Sequence, residues 1–238
     1  MKAVILAGGK GTRLAPYTTV LPKPLVPVGG IPILETILRQ LKWRGFTEIT
    51  LACGYLGALI RAYLDQNPIS SEVELIYHFE QKPLGTAGAL GIIPGLDESF
   101  LAMNGDLLTT LDYAALMQFH QAQDAALTIA VTRKRVKIDM GMLTLNDDRR
   151  VTGYLEKPVK EYPASTGIYI YHPRVLKMIE PEVYLDVPEL VQRLIAEGET
   201  VLGFDSDTFW LDMGNRDDYE RAVHQFEENS ALFLPDGC

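Results

Sequence analysis

The feature that most constrains this chain is at its start. The apolar run Lys2-Ala3-Val4-Ile5-Leu6-Ala7 is cut off by Gly8-Gly9-Lys10-Gly11-Thr12-Arg13. A short apolar run stopped by glycine reads as a buried strand. A glycine-rich turn at the carboxyl end of such a strand is where open α/β sheets place ligands. The rest of the first half keeps that rhythm. Strands are expected over 48–53, 73–78, 100–103 and 125–132. Helices are expected over 31–44, 55–64 and 112–122, with a short one starting over 86–91. In the first long helix Ile31, Leu34, Ile37, Leu38 and Leu41 fall on one face, and Gly45 follows as a stop. Strands alternating with helices predict an α/β fold: a Rossmann-like, mainly parallel central sheet flanked by helices.

After Thr132 the rhythm changes. Runs at 140–145, 151–156 and 166–171 are β-like with little helix between them, and Asn146-Asp147-Asp148 is a turn signal. The expectation is one domain over 1–238: an α/β core to about residue 132, then a smaller mixed β lobe with closing helices at 187–197 and 217–227. Hydrophobic residues make up 47% of the chain, enough for a sizeable core. The formal net charge of -9 repels nucleic-acid phosphates, so small-molecule partners are expected and nucleic acid is not. The opening apolar run is too short for a leader or a membrane span, which predicts a cytoplasmic protein with no membrane partner. Cys53 reads as a small core residue, Cys238 ends the chain, and the four histidines lack metal-ligand spacing. Ala231-Leu232-Phe233-Leu234 either packs on a second copy, as in a homo-oligomer, or closes its own core.

The glycine loop has two readings, a tight turn or a phosphate cradle. It is not a Walker A loop, since Ser or Thr is missing after the lysine, nor a Rossmann fingerprint, since Leu14 replaces the third glycine. Arg13 and Lys23 favour phosphate. Lys23 lies between Pro22 and Pro24, whose rings restrict the backbone, and an arginine can grip phosphate bidentately. By itself Lys23 reads equally as a surface loop residue. Asp106 follows the strand Phe100–Met103, and Asp212 follows another apolar run. Mg²⁺ takes one or two carboxylates with phosphate oxygens and water, so the two form a candidate metal pair, although Asp212 also suits a helix cap.

Together these motifs resemble a known signature. Leu6-Ala7-Gly8-Gly9-Lys10-Gly11-Thr12-Arg13-Leu14, then Pro22-Lys23-Pro24-Leu25 and Pro27-Val28-Gly29, are similar to the opening of the sugar-1-phosphate nucleotidylyltransferases. The resemblance implies that the core to about residue 132 binds nucleotide and the lobe after it binds sugar, that Arg13, Lys23 and Asp106 serve catalysis, and that Asp106 and Asp212 hold Mg²⁺. It implies nucleotide contacts from Leu6, Ala7, Gly8, Gly9, Gly11, Thr12, Arg13, Glu80, Gly85 and Thr86. It also implies sugar-phosphate contacts from Lys23, Gly141, Glu156, Lys157, Ser165 and Thr166. Glu156-Lys157-Pro158 looks like the family's sugar motif, although an exposed Glu-Lys pair at a strand end is the plainer reading. Ser165-Thr166 stands where many members carry asparagine.

Leu84-Gly85-Thr86-Ala87-Gly88 most resembles the guanylyltransferase branch. Glu80 then takes the base-reading position. Guanine presents two adjacent donors, and a carboxylate accepts both, whereas a pyrimidine imide edge suits an amide. GTP with mannose 1-phosphate is therefore expected. UTP or dTTP with glucose 1-phosphate is the alternative, since Gln81 lies one residue away and backbone groups near Ala7, Gly8 and Gly85 are the other candidate readers. A catalytically silent nucleotide-sugar sensor is the rival outside enzymes.

Overall fold

The computed structural model describes residues 1–234; Cys238 lies outside them. Its centre is a seven-stranded sheet. The chain enters it with β1 (Lys2–Ala7) and passes through two short strands, β2 (Pro27–Val28) and β3 (Ile31–Pro32), into helix α1 (Ile33–Trp43). β4 (Glu48–Cys53), helix α2 (Gly57–Leu64), β5 (Glu74–Phe79), the one-turn helix α3 (Gly85–Gly88) and β6 (Phe100–Asn104) follow. Next come β7 (Leu107–Thr109), helix α4 (Tyr113–Ala122) and β8 (Leu127–Lys137). The hairpin β9 (Met142–Leu145) and β10 (Val151–Leu155) leads to β11 (Val159–Tyr171). Helix α5 (Val187–Ala196), β12 (Val201–Asp205), β13 (Trp210–Asp212), α6 (Arg216–Glu228) and α7 (Ser230–Phe233) complete the described chain.

The sheet order is β12-β8-β11-β6-β1-β4-β5. β5, β4, β1 and β6 are mutually parallel, β11 is antiparallel to both β6 and β8, and β12 runs parallel to β8. Only β11 runs against the rest, as the mainly parallel expectation requires. Alternation in β1 sorts its side chains into two layers. Ala3, Ile5 and Ala7 join the core under α1, while Val4 joins the core formed with α5. In α1, Ile33, Leu34, Ile37, Leu38 and Leu41 are all fully buried. The helix starts at Ile33 because Ile31–Pro32 pair instead with Pro27–Val28.

Beyond Thr132 the chain stays in the same sheet. Position 132 lies inside β8, and the run expected at 166–171 is the last part of the thirteen-residue β11. The far ends of β8 and β11 extend past the sheet as an exposed ladder, from Lys137 opposite Val159 to Val131 opposite Ser165, with the β9–β10 hairpin beside it. The apolar tail closes the protein's own core: Phe233 is buried, stacked on Phe226 and edge-on to Phe209. Among the described residues no helix is long and apolar enough to cross a membrane.

Candidate active site

Parallel strands end together, and a crevice opens where β1, β5 and β6 do so. Its wall includes Leu6, Ala7, Gly8 and Gly9 after β1, Lys23 and Pro24, and Asn104, Gly105 and Asp106 after β6. Glu80, Pro83, Gly85 and Thr86 form another side. The loop backbone is tied to its neighbours. The Gly105 N–H donates to the Leu6 carbonyl at 3.0 Å, and the Tyr55 N–H donates to the Gly8 carbonyl at 3.3 Å. Gly54 completes the fit. A Cβ there would lie 2.7 Å from the Gly8 oxygen and 2.8 Å from the Gly8 Cα, so only glycine lets β4 end against the loop. Gly54→Ala must push one backbone away from the other, a cost of about 1–3 kcal/mol. The expected result is a lower melting temperature together with weaker nucleotide binding. A variant with parental values for both would show that the loop has room to spare.

Charge gathers at one end of the crevice. The Lys23 ammonium contacts Asp106 Oδ2 directly and lies 3.7 Å from Asp212 Oδ1. The aspartates meet through a small ladder outside the main sheet, in which β13 pairs antiparallel with β7 and sets Asp212 opposite Leu107. The Met213 N–H then donates to the Asp106 carbonyl at 3.2 Å. Burial raises the Asp212 carboxyl above its ordinary value, and the Asp106 charge adds to this, while Lys23 and Arg13 pull the other way. Asp212 Oδ1 is buried with no hydrogen-bond partner in the structure. Arg13 does not line the crevice. Its guanidinium flanks Gly214, with both terminal nitrogens 3.6 Å from where a Gly214 Cβ would sit, and Asp212 Oδ2 is 3.3 Å from the same point.

Glu80 extends β5 by one backbone bond, its N–H donating to the Cys53 carbonyl at 2.9 Å. Its Oε1 lies 3.4 Å from the point a Gly8 Cβ would occupy, so the carboxylate borders the glycine loop. Burial raises the Glu80 carboxyl above the ordinary glutamate range, while the Leu84 N–H, donating at 3.4 Å, and His78 oppose the shift.

Other expected residues lie elsewhere. Gly11 and Thr12 are outside the crevice wall. Gly141 and Glu156 are joined through Tyr154, whose ring covers Gly141 and whose hydroxyl donates to Glu156 at 2.8 Å. Lys157 follows in a left-handed backbone conformation with φ of 43°. The Ser165 hydroxyl pairs with that of Tyr169 at 3.0 Å. Thr166 lies next to Ser165 in β11. Its side chain is buried and its hydroxyl donates to the Ala130 carbonyl, while its own carbonyl accepts from Trp210 Nε1. The wall also contains Tyr184 and Asp186, which the motifs did not flag. The available signal was an acidic residue just before Val187-Pro188, a helix-start pattern.

A crevice with glycine backbone on one side and a lysine between two carboxylates on the other suits a phosphate chain, and it sits where α/β folds bind nucleotides. The sequence relationships agree. The nucleotidyl transferase family model matches residues 2–229, and the chain belongs to that family. It is similar to a mannose-1-phosphate guanyltransferase of Schizosaccharomyces pombe, with 34% identity over 92% of this chain and 62% of that protein. It is also similar to a UTP–glucose-1-phosphate uridylyltransferase of Synechocystis, with 31% identity over 94% of this chain and 62% of that one. The chain therefore spans about three fifths of the length of these relatives. Among solved structures, HddC from Yersinia pseudotuberculosis in complex with GMP-PN superimposes with a TM-score of 0.71 and 26% identity, over 94% of this chain and 99% of that one.

Proposed function

We propose that this protein transfers a guanylyl group from GTP to mannose 1-phosphate, forming GDP-mannose and releasing pyrophosphate. The observation that carries the reading is Glu80, a carboxylate bordering the glycine loop in the same crevice as Lys23 and Asp106. A carboxylate accepts from guanine's ring N–H and amino group together and has no donor for a pyrimidine carbonyl. The uridylyltransferase relative keeps UTP with glucose 1-phosphate as the second reading. Presence of Arg13, Lys23 and Asp106 argues against a silent sensor.

In this reading a phosphate oxygen of the sugar phosphate attacks the α-phosphorus of GTP in line. The new P–O bond replaces the bond to the β-phosphate oxygen, and pyrophosphate leaves with its electron pair. No protein nucleophile is required. Lys23 and Arg13 neutralise charge on the reacting phosphates, and Asp106 orients Lys23. A hard divalent cation fits the site: two carboxylates adjoin, one with a buried oxygen that accepts no hydrogen bond, and phosphate and water would complete the shell of Mg²⁺. Asp106 and Asp212 would hold it, and it would supply positive charge at the phosphates.

The test is pyrophosphate release across GTP, UTP, dTTP, ATP and CTP, each with mannose 1-phosphate and glucose 1-phosphate. GTP with mannose 1-phosphate should give the highest kcat/KM. No release with any pair would return the sensor reading. For the sugar side, Glu156→Ala should raise the KM for sugar phosphate roughly tenfold, the loss of one charge-assisted hydrogen bond, while leaving the KM for nucleotide nearly unchanged. Equal rises in both KM values would make Glu156 a structural partner of Tyr154.

A further inference from the structure

A part of the crevice wall with no role above comes from residues 183–187, which are pressed against α3 backbone to backbone. The Leu185 N–H donates to the Leu84 carbonyl, and the Leu185 carbonyl accepts from the N–H groups of Ala87 and Gly88, all at 2.9 Å. Gly85 has a φ of +77°, and a Cβ there would lie 2.5 Å from the Leu185 oxygen. A Cβ on Gly88 would lie 2.5 Å from the Val183 oxygen. The segment is therefore stapled to α3 without intervening side chains.

That staple carries a clamp. Asp186 Oδ1 accepts from the Thr86 N–H at 2.9 Å and from the Thr86 hydroxyl at 3.0 Å. Its Oδ2 accepts from the Tyr184 hydroxyl at 2.6 Å. The Tyr184 bond holds the Asp186 carboxyl below the ordinary range, and Asp186 in turn raises the Tyr184 phenol, so the phenol stays the donor. Thr86 is thereby a support for Asp186, its hydroxyl also accepting from the Val187 N–H at 3.0 Å. Tyr184 is 60% exposed yet lines the same crevice as Glu80, Pro83 and Gly8. A large aromatic residue left open to solvent in the crevice wall and fixed at its hydroxyl is available to whatever enters.

We propose that Tyr184 is a specificity-determining residue of this crevice: its ring stacks on the nucleobase, Asp186 positions it, and the larger face of a purine gains more than that of a pyrimidine. The inference rests on the reading of the crevice as a nucleotide site. Stacking on an aromatic side chain does not depend on the hydrogen-bonding edge of the base, so Tyr184 acts on the face while Glu80 acts on the edge.

The experiment is equilibrium binding of GTP and UTP to the full chain and to Tyr184→Ala and Tyr184→Phe, with the KM for mannose 1-phosphate and a thermal melt for each protein. Tyr184→Ala should raise the Kd for GTP about tenfold and that for UTP about threefold, with the sugar phosphate KM and the melt unchanged. Tyr184→Phe keeps the ring and loses the tether, and should fall between parent and Tyr184→Ala. An unchanged GTP Kd in Tyr184→Ala, or equal rises for GTP and UTP, overturns the inference and leaves the nucleotide reading standing. A parent protein that binds neither nucleotide overturns both.

Discussion

Asp106→Ala is expected to lower turnover at least about a hundredfold, the scale of losing one preorganised electrostatic group, roughly 3–4 kcal/mol. Three consequences combine in that number. Asp106 contacts the Lys23 ammonium directly, so its removal frees the lysine proposed to neutralise the reacting phosphates. Among the described residues, Lys23 would keep only Asp212, 3.7 Å away, as a carboxylate partner. One of two carboxylates available to a divalent cation also disappears. Among the described residues there is no cluster of three or more His, Cys, Asp or Glu to take over that task. Steady-state pyrophosphate release measures the loss, with a thermal melt to show that the variant is folded. Turnover within about threefold of the parent would remove Asp106 from the reaction. Excess EDTA should likewise abolish turnover and added Mg²⁺ restore it; full activity in EDTA would leave the two aspartates to hold Lys23 alone.

Glu80→Gln should shift nucleotide preference rather than abolish activity. The ratio of kcat/KM for GTP to that for UTP is expected to fall by one to two orders of magnitude. Each charge-assisted hydrogen bond is worth roughly 1.5–3 kcal/mol, and about 1.4 kcal/mol makes a factor of ten. The backbone at position 80 is fixed by its bond to the Cys53 carbonyl, and an amide oxygen can still accept from Leu84, so the substitution alters chemistry more than position. One face of the new side chain becomes a donor, which opposes guanine's donors and matches a pyrimidine carbonyl. A parent enzyme that prefers UTP or dTTP would refute the guanine reading outright. An unchanged ratio in the variant would leave GTP as substrate and assign base recognition to the backbone near Gly8 and Gly85. This result is separable from the Tyr184 experiment, since replacing Glu80 leaves the aromatic wall intact.

The two experiments divide the crevice into parts of different origin. The glycine loop, Lys23, Glu80 and Asp106 were all legible in the linear sequence. Each sits just past an apolar run or between prolines, and short-range rules govern there: a strand stopped by glycine delivers the next polar residues to the sheet's carboxyl edge. Alternation within β1 and the helical spacing of Ile33 to Leu41 likewise reported, locally, which faces would be buried.

Other parts depended on which segments pair across long stretches of chain. β12, β7 and β13 carry little local signal, being short or containing glycine and acidic residues. Asp212 reaches Asp106 only because β13 pairs with β7. β11 passes from the exposed ladder into the middle of the sheet, so the expected lobe shares its strands with the core. That the Thr166 hydroxyl donates to the Ala130 carbonyl likewise follows from strand pairing and not from local sequence. Tyr184 and Asp186 join the crevice through backbone bonds to α3. Local periodicity dictates which residues prefer to be extended, helical or buried. It carries no information on which distant backbone will satisfy a strand's remaining donors and acceptors. That choice was made by tertiary packing, and it decided which side chains complete the site.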